Sequence, residues 1–103
     1  MAKSRLTVVA RIMAKTGMEE QVRQGLLALV APTRSETGCI NYDLHQANDE
    51  KGLFLFYENW TDRKALDEHL RTPHLQGFLK QADDLLAEPV EIRFLEMISE
   101  PAE

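Results

Sequence analysis

The sequence predicts an α+β fold, an antiparallel sheet covered on one face by helices in the order β-α-β-β-α-α-β. Three observations predict it. Residues 6–13, 39–47, 53–60 and 90–98 carry the alternating or β-branched and aromatic pattern of strands. Helical periodicity fills the gaps after the first and third of these. The middle two are joined by the short polar stretch Asn48-Asp49-Glu50-Lys51-Gly52, which makes them a hairpin. Together these give the split βαβ, ferredoxin-like plan, with its second helix broken in two.

In the first strand, Leu6, Val8, Ala10 and Ile12 alternate with Thr7, Val9, Arg11 and Met13. Thr16 and Glu19 then have the spacing of a capping box, in which each side chain takes a free N–H from the other's backbone. Met18, Val22, Leu26 and Leu29 recur on one helical face. Pro32 has no N–H and is expected to kink or end this helix, with Gly38 as its stop. Asp62 or Thr61 can cap a short helix through Leu70. Thr72 as N-cap and Pro73 at the first helical position open the next, whose apolar face is Leu75, Phe78, Leu79, Ala82, Leu85 and Leu86. Val90, Ile92, Phe94 and Ile98 mark a last strand, interrupted by Glu96.

With 103 residues the chain has room for one core, so residues 1–103 are expected to form a single domain. Its net charge of −5, with no basic run longer than Arg63-Lys64, argues against a nucleic-acid partner. The longest apolar run, Leu26 to Pro32, is too short to span a bilayer. The opening Met1-Ala2-Lys3-Ser4-Arg5 leads straight into the first strand without the apolar centre of a signal peptide. A single Cys39 excludes an internal disulfide. A cytoplasmic protein without a membrane partner is expected.

In this plan one sheet face meets water and should be polar at alternate positions. Strand 53–60 instead carries Phe54, Phe56 and Trp60 on one side and Leu53, Leu55 and Tyr57 on the other. Val9, Met13, Leu95 and Met97 extend the second apolar side. A second copy is the expected cover, giving a homodimer. The tail Glu100-Pro101-Ala102-Glu103 is too short and polar to serve.

Glu58 shares a strand face with Phe54, Phe56 and Trp60, because residues two apart point the same way. A carboxyl on an apolar strip is desolvated and its pKa rises, which suits a general base. Alternatively, Glu58 pairs with Arg11 or Arg93 across the sheet. His69 follows Leu66 by three residues and faces the sheet with it. His74 lies in the first turn of its helix, where the helix dipole favours neutral imidazole. Either histidine can accept a proton or bond an oxyanion, and either can instead be a half-buried ring tied to a backbone carbonyl. A helix break separates His69 from His74, and His45 lies on another strand, so no metal site is expected. Cys39 has no Cys or His beside it and reads as a small filler more than as a nucleophile. G-x-G-x-x-G, P-loop and G-x-S-x-G motifs are absent.

The run Glu58-Asn59-Trp60-Thr61-Asp62, then Ala65-Leu66 and His69, then Thr72-Pro73-His74, resembles the antibiotic biosynthesis monooxygenase (ABM) superfamily. Within it the chain is most similar to small bacterial quinol monooxygenases. Gly17, Pro32, Gly38-Cys39 and Tyr42 extend the likeness over nearly the whole chain. The resemblance implies a dimeric α+β barrel with the sheets of two ferredoxin-like units facing each other. It also implies cofactor-independent oxidation of a quinol or related electron-rich aromatic by O₂, without flavin, haem or metal. On that pattern Trp60 walls the pocket, Glu58 or His69 takes the quinol proton, and His74 orients the oxygen. Phe54, Phe56, Leu75 and Phe78 line the cavity.

Three other readings share the fold. A haem-degrading branch is expected to carry a ligating His in the last long helix, where this chain has Phe78-Leu79-Lys80-Gln81-Ala82, and an Asn that the opening strand lacks. A phosphosugar isomerase shares the spacing of His69 to Pro73-His74 and needs basic residues near its pocket. A non-enzymatic ligand-binding module is the third.

Overall fold

The computed structural model describes residues 5–100. The elements run β1 (Leu6–Met13), α1 (Glu19–Arg34), β2 (Cys39–Gln46), β3 (Leu53–Trp60), α2 (Arg63–His69), α3 (Pro73–Leu79), α4 (Ala82–Leu85) and β4 (Glu91–Leu95). The strands form one antiparallel sheet in the order β2-β3-β1-β4, the ferredoxin-like α+β arrangement. Among the described residues no helix is long and apolar enough to cross a membrane.

Register decides which side chains meet the helices. Val8 lies opposite Glu58 and Phe94, Ala10 opposite Phe56 and Ile92, and Tyr42 opposite Glu58. This set faces α1, α2 and α3, which contribute Val22, Leu26, Leu29, Leu66 and Phe78 to the core. The opposite face mixes half-buried Val9, Met13, Leu53 and Leu55 with polar Arg11, Asn41 and Asp43, and leaves Tyr57 exposed. Thr7, Asn59 and Asn41 form a hydrogen-bonded row across it.

Four local expectations are corrected. The capping box at Thr16 does not form: Met18 occupies the cap position, and the Glu19 carboxylate accepts from the Gly17 N–H at 2.9 Å instead. Helix α1 runs two residues past Pro32, and Ser35 N–H then closes the last turn onto the Pro32 carbonyl at 3.3 Å. The helix read from Leu75 to Leu86 breaks at Lys80 and Gln81. After the break the chain bends to pair with the end of β1, through Lys15 N–H to Leu85 O and Ala87 N–H to Met13 O, both 2.8 Å. Strand β4 stops at Leu95, where its pairing with β1 ends at Thr7, and Ile98 lies beyond it in solvent. The expected caps at Asp62 and Thr72 do form, accepting from Ala65 N–H and Leu75 N–H. The tail beyond Glu100, like residues 1–4, lies outside the described residues.

The α1–β2 turn is seated against α2 by a glycine. Gly38 has φ +91°, and a Cβ there would stand 2.5 Å from Cβ of Ala65 in α2. Only glycine lets this turn sit so close. The Thr61 N–H donates to the Gly38 carbonyl at 2.9 Å and ties the turn to the end of β3. Gly38→Ala should therefore destabilise the fold by about 1–3 kcal/mol from the backbone alone, before the clash is counted. Gly77→Ala is the control: a Cβ on this exposed helical residue meets nothing within 4 Å, so it should stabilise by about 0.4–1 kcal/mol. Urea unfolding of both variants checks the pair of signs.

Candidate active site

A cavity of about 210 Å³ lies between the sheet and the helices. Its apolar wall includes Val8, Ala10, Phe56, Leu66, Leu75 and Phe78, and its polar groups come from Glu58, His69 and Tyr42. Neither Lys nor Arg is among the lining residues. The mouth is at the β4 edge, where Ile92 and Phe94 point to the core side yet remain 47% and 48% exposed, and the Arg63 guanidinium at the start of α2 stands 4.8 Å over the Phe94 ring. Phe78 can approach α1 closely because residue 25 is glycine: a Cβ there would stand 3.2 Å from the Phe78 ring.

Strand alternation puts Glu58 and Trp60 on the core face, two residues apart, and the indole Nε1–H donates to Glu58 Oε1 at 2.9 Å. Glu58 is only 4% exposed. Burial drives its pKa up to about 7; the indole hydrogen bond opposes the rise and the charge of Glu36 adds to it. The cross-sheet ion pair expected as an alternative is absent: Arg11 bonds Glu88 and Arg93 bonds Glu91.

His69, 3% exposed, lies against the Trp60 ring with centroids 4.7 Å apart, and Tyr42 meets it edge-on at 5.4 Å. Its Nδ1 is 3.1 Å from each oxygen of Glu36, a residue of the α1–β2 turn. Burial pushes the His69 pKa down more strongly than Glu36 pulls it up, so the ring is neutral near pH 7. His74 Nε2 reaches the same Glu36 Oε2 at 2.6 Å. The helix break that separates the two histidines in sequence therefore does not separate them in space. Their ring nitrogens and a Glu36 oxygen lie within 4.8 Å of one another, the group among the described residues that could hold a metal ion, while His45 is on the far face of the sheet. Cys39 is a filler: burial, then the charges of Glu36 and Glu58, raise its thiol to about 11.

Of the residues singled out in the sequence, Glu58, His69, Phe56, Leu75 and Phe78 line the cavity. Trp60, Phe54 and His74 do not. Trp60 is fully buried behind His69 and acts on the wall through its hydrogen bond to Glu58. Phe54 packs in the core, level with Ile12. His74 lines a separate groove beside α1, with Gln24, Ala28 and Gln81. Glu36 was not singled out, since a carboxylate in a turn reads as a solvated residue and no periodicity marks it.

The antibiotic biosynthesis monooxygenase family profile matches residues 5–81. The chain belongs to the ABM family. Rv0793 of Mycobacterium tuberculosis is 38% identical over 97 residues, covering 94% of this chain and 95% of its own length. Its solved structure superposes with a TM-score of 0.88 over 96% of this chain and 100% of that one, at 35% identity. The structure of PA3566 from Pseudomonas aeruginosa gives a TM-score of 0.90 at 38% identity, covering 96% of this chain and 99% of that chain. sll1783 of Synechocystis is 38% identical over 88 residues, which are 85% of this chain and 60% of that protein, so this chain corresponds to only part of it.

For this ABM domain the raised Glu58 pKa has a thermodynamic consequence of definite sign. Between pH 4.5, the ordinary value, and about 7 the folded state binds a proton that the unfolded state has lost. Stability from this group is complete below pH 4.5 and falls as pH rises through 7, by about 3 kcal/mol in all. Glu58→Gln removes the titration. The stability of the variant relative to the parent should therefore rise by about that amount between pH 4 and 8. Urea unfolding across this range checks it, and a constant difference would contradict it.

Proposed function

We propose that this ABM-family chain is a cofactor-independent monooxygenase that oxidises a small, uncharged aromatic quinol with O₂. The observation that carries the reading is Glu58, a carboxyl poised near neutrality on the wall of a cavity whose other lining residues, apart from His69 and Tyr42, are apolar. A general base works best when its pKa lies near the operating pH. A dry cavity of roughly 150 Å³ accepts one benzene, so about 210 Å³ suits one substituted ring or a compact fused pair. A phosphorylated sugar needs cations facing its phosphate, whereas no Lys or Arg is among the lining residues and the nearby Arg63 stands over the Phe94 ring at the mouth.

In this reading the ring enters past Ile92 and Phe94 and stacks among Phe56, Leu75 and Phe78. Glu58 takes a hydroxyl proton. The resulting quinolate passes one electron to O₂, and the radical pair joins as a carbon–oxygen bond. The peroxide O–O bond then breaks, one oxygen staying on the ring as a hydroxyquinone and the other leaving as water. The protein contributes position, proton transfer and exclusion of solvent.

Oxygen uptake with a panel of menadiols and naphthols should exceed the autoxidation rate. Glu58→Gln should lower kcat by about 10²–10⁴-fold with little change in substrate Kd. Trp60→Phe deletes the donor that holds the Glu58 pKa down. Its acid limb in the pH–rate profile should move to higher pH by about one unit, the size expected for a hydrogen bond to a charged group. Full activity in Glu58→Gln would overturn the assignment of the base.

The same reading includes a homodimer. Val9, Met13, Leu53, Leu55 and Tyr57 make an apolar strip on the sheet face that carries no helix, and a second sheet would cover it. Light scattering should give twice the chain mass of 11.8 kDa. Leu55→Lys should break the pair, by placing a charge in the contact. A monomeric parent at micromolar concentration would contradict this.

A further inference from the structure

Besides Glu58, the cavity wall carries a second titratable group with a dedicated partner. His69 uses Nδ1 toward Glu36 at 3.1 Å, and among the described residues its Nε2 has no partner, although the residue lines the cavity. Its ring neighbours, Trp60 and Tyr42, meet it through their aromatic faces and edges. Glu36 is itself held from the far side, because His74 reaches the same Oε2 at 2.6 Å. The turn carrying Glu36 is seated closely against Ala65 of α2 at Gly38 and tied to the end of β3 by the Thr61 N–H to Gly38 O bond.

We infer that Glu36 is a positioning residue that fixes His69 as the Nδ1–H tautomer and presents its Nε2 lone pair to the cavity as the acceptor for a second substrate hydroxyl proton, with His74 locking Glu36 in place. This rests on the oxygenase reading above. A carboxylate accepts from an N–H, so Nδ1 carries the proton and Nε2 is the acceptor. In the step itself the substrate O–H bond breaks and an Nε2–H bond forms. The Nδ1–H stays on the ring, and the imidazolium is stabilised by the adjacent negative charge of Glu36, as in any acid–base dyad oriented by a carboxylate. A quinol has two hydroxyl groups, and the cavity then offers two acceptors, Glu58 and His69. His74 is thereby reassigned from orienting oxygen to orienting Glu36.

The test has one arm that needs no substrate. Two-dimensional ¹⁵N NMR of the histidine rings should show His69 in the Nδ1–H form in the parent protein. Glu36→Ala should release it to the Nε2–H form preferred by a free histidine side chain. Glu36→Gln keeps an acceptor oxygen but no charge, so it should retain the tautomer. In the second arm, on whichever quinol the panel selects, Glu36→Ala should lower kcat by about 10²-fold or more with KM little changed. Glu36→Gln should lose less, and Glu36→Asp should recover part of the rate. An Nε2–H form in the parent protein overturns the proposal without reference to any variant. So does an unchanged tautomer in Glu36→Ala. A panel with no oxygen uptake, combined with the expected tautomers, would instead count against the oxygenase reading and leave the positioning role standing.

Discussion

Glu58 occupies a core position of β3, and most of the site depends on how that carboxyl is accommodated. Strand geometry gives it no way out: its neighbours Tyr57 and Asn59 take the other face, and Val8 and Tyr42 flank it in register. Burial of a charged carboxylate with no cation beside it is unfavourable, so the group is held near the point where proton and charge are equally stable. The Trp60 indole sets how near. Its single N–H favours the ionised form enough to bring the pKa down to about 7, and a donor-free wall would leave it higher.

Beyond Glu58 a chain of contacts runs outward from the core to the partly exposed His74. Trp60 packs on His69, His69 bonds Glu36, and Glu36 bonds His74 at the protein's surface. Each member comes from a different part of the chain: the end of β3, the end of α2, the α1–β2 turn and the first turn of α3. The fold brings them together because β2 and β3 form the hairpin on which α2 docks, and Gly38 permits that docking at van der Waals distance. Here the stability of the fold and the chemistry of the site share one residue.

The sheet was legible because its signals are local. The bounds of β3 come from the aromatic and aliphatic residues, Leu53 to Tyr57 and Trp60, between a polar turn and Thr61, and the caps at Asp62 and Thr72 come from side-chain oxygens placed to accept a free helical N–H. The helix break at Lys80 and Gln81 was not legible. Leu75, Phe78, Ala82 and Leu85 keep helical spacing straight through it, and the cause is pairing with β1, which is distant in sequence. Glu58 and His69 could be read as site residues from their place on apolar faces. Glu36 could not, since its role arises only when the turn, α2 and α3 converge. Trp60 was legible as a site residue but not in its role, because the sequence says which face the indole takes and not that His69 stands between it and the cavity.

A carboxyl held at neutrality inside an apolar cavity is open to direct measurement. Titration of the Glu58 side-chain carboxyl by ¹³C NMR in the folded protein should give a midpoint close to 7, moving upward in Trp60→Phe. A midpoint near the ordinary 4.5, unmoved by the loss of the indole, would contradict this picture of the site.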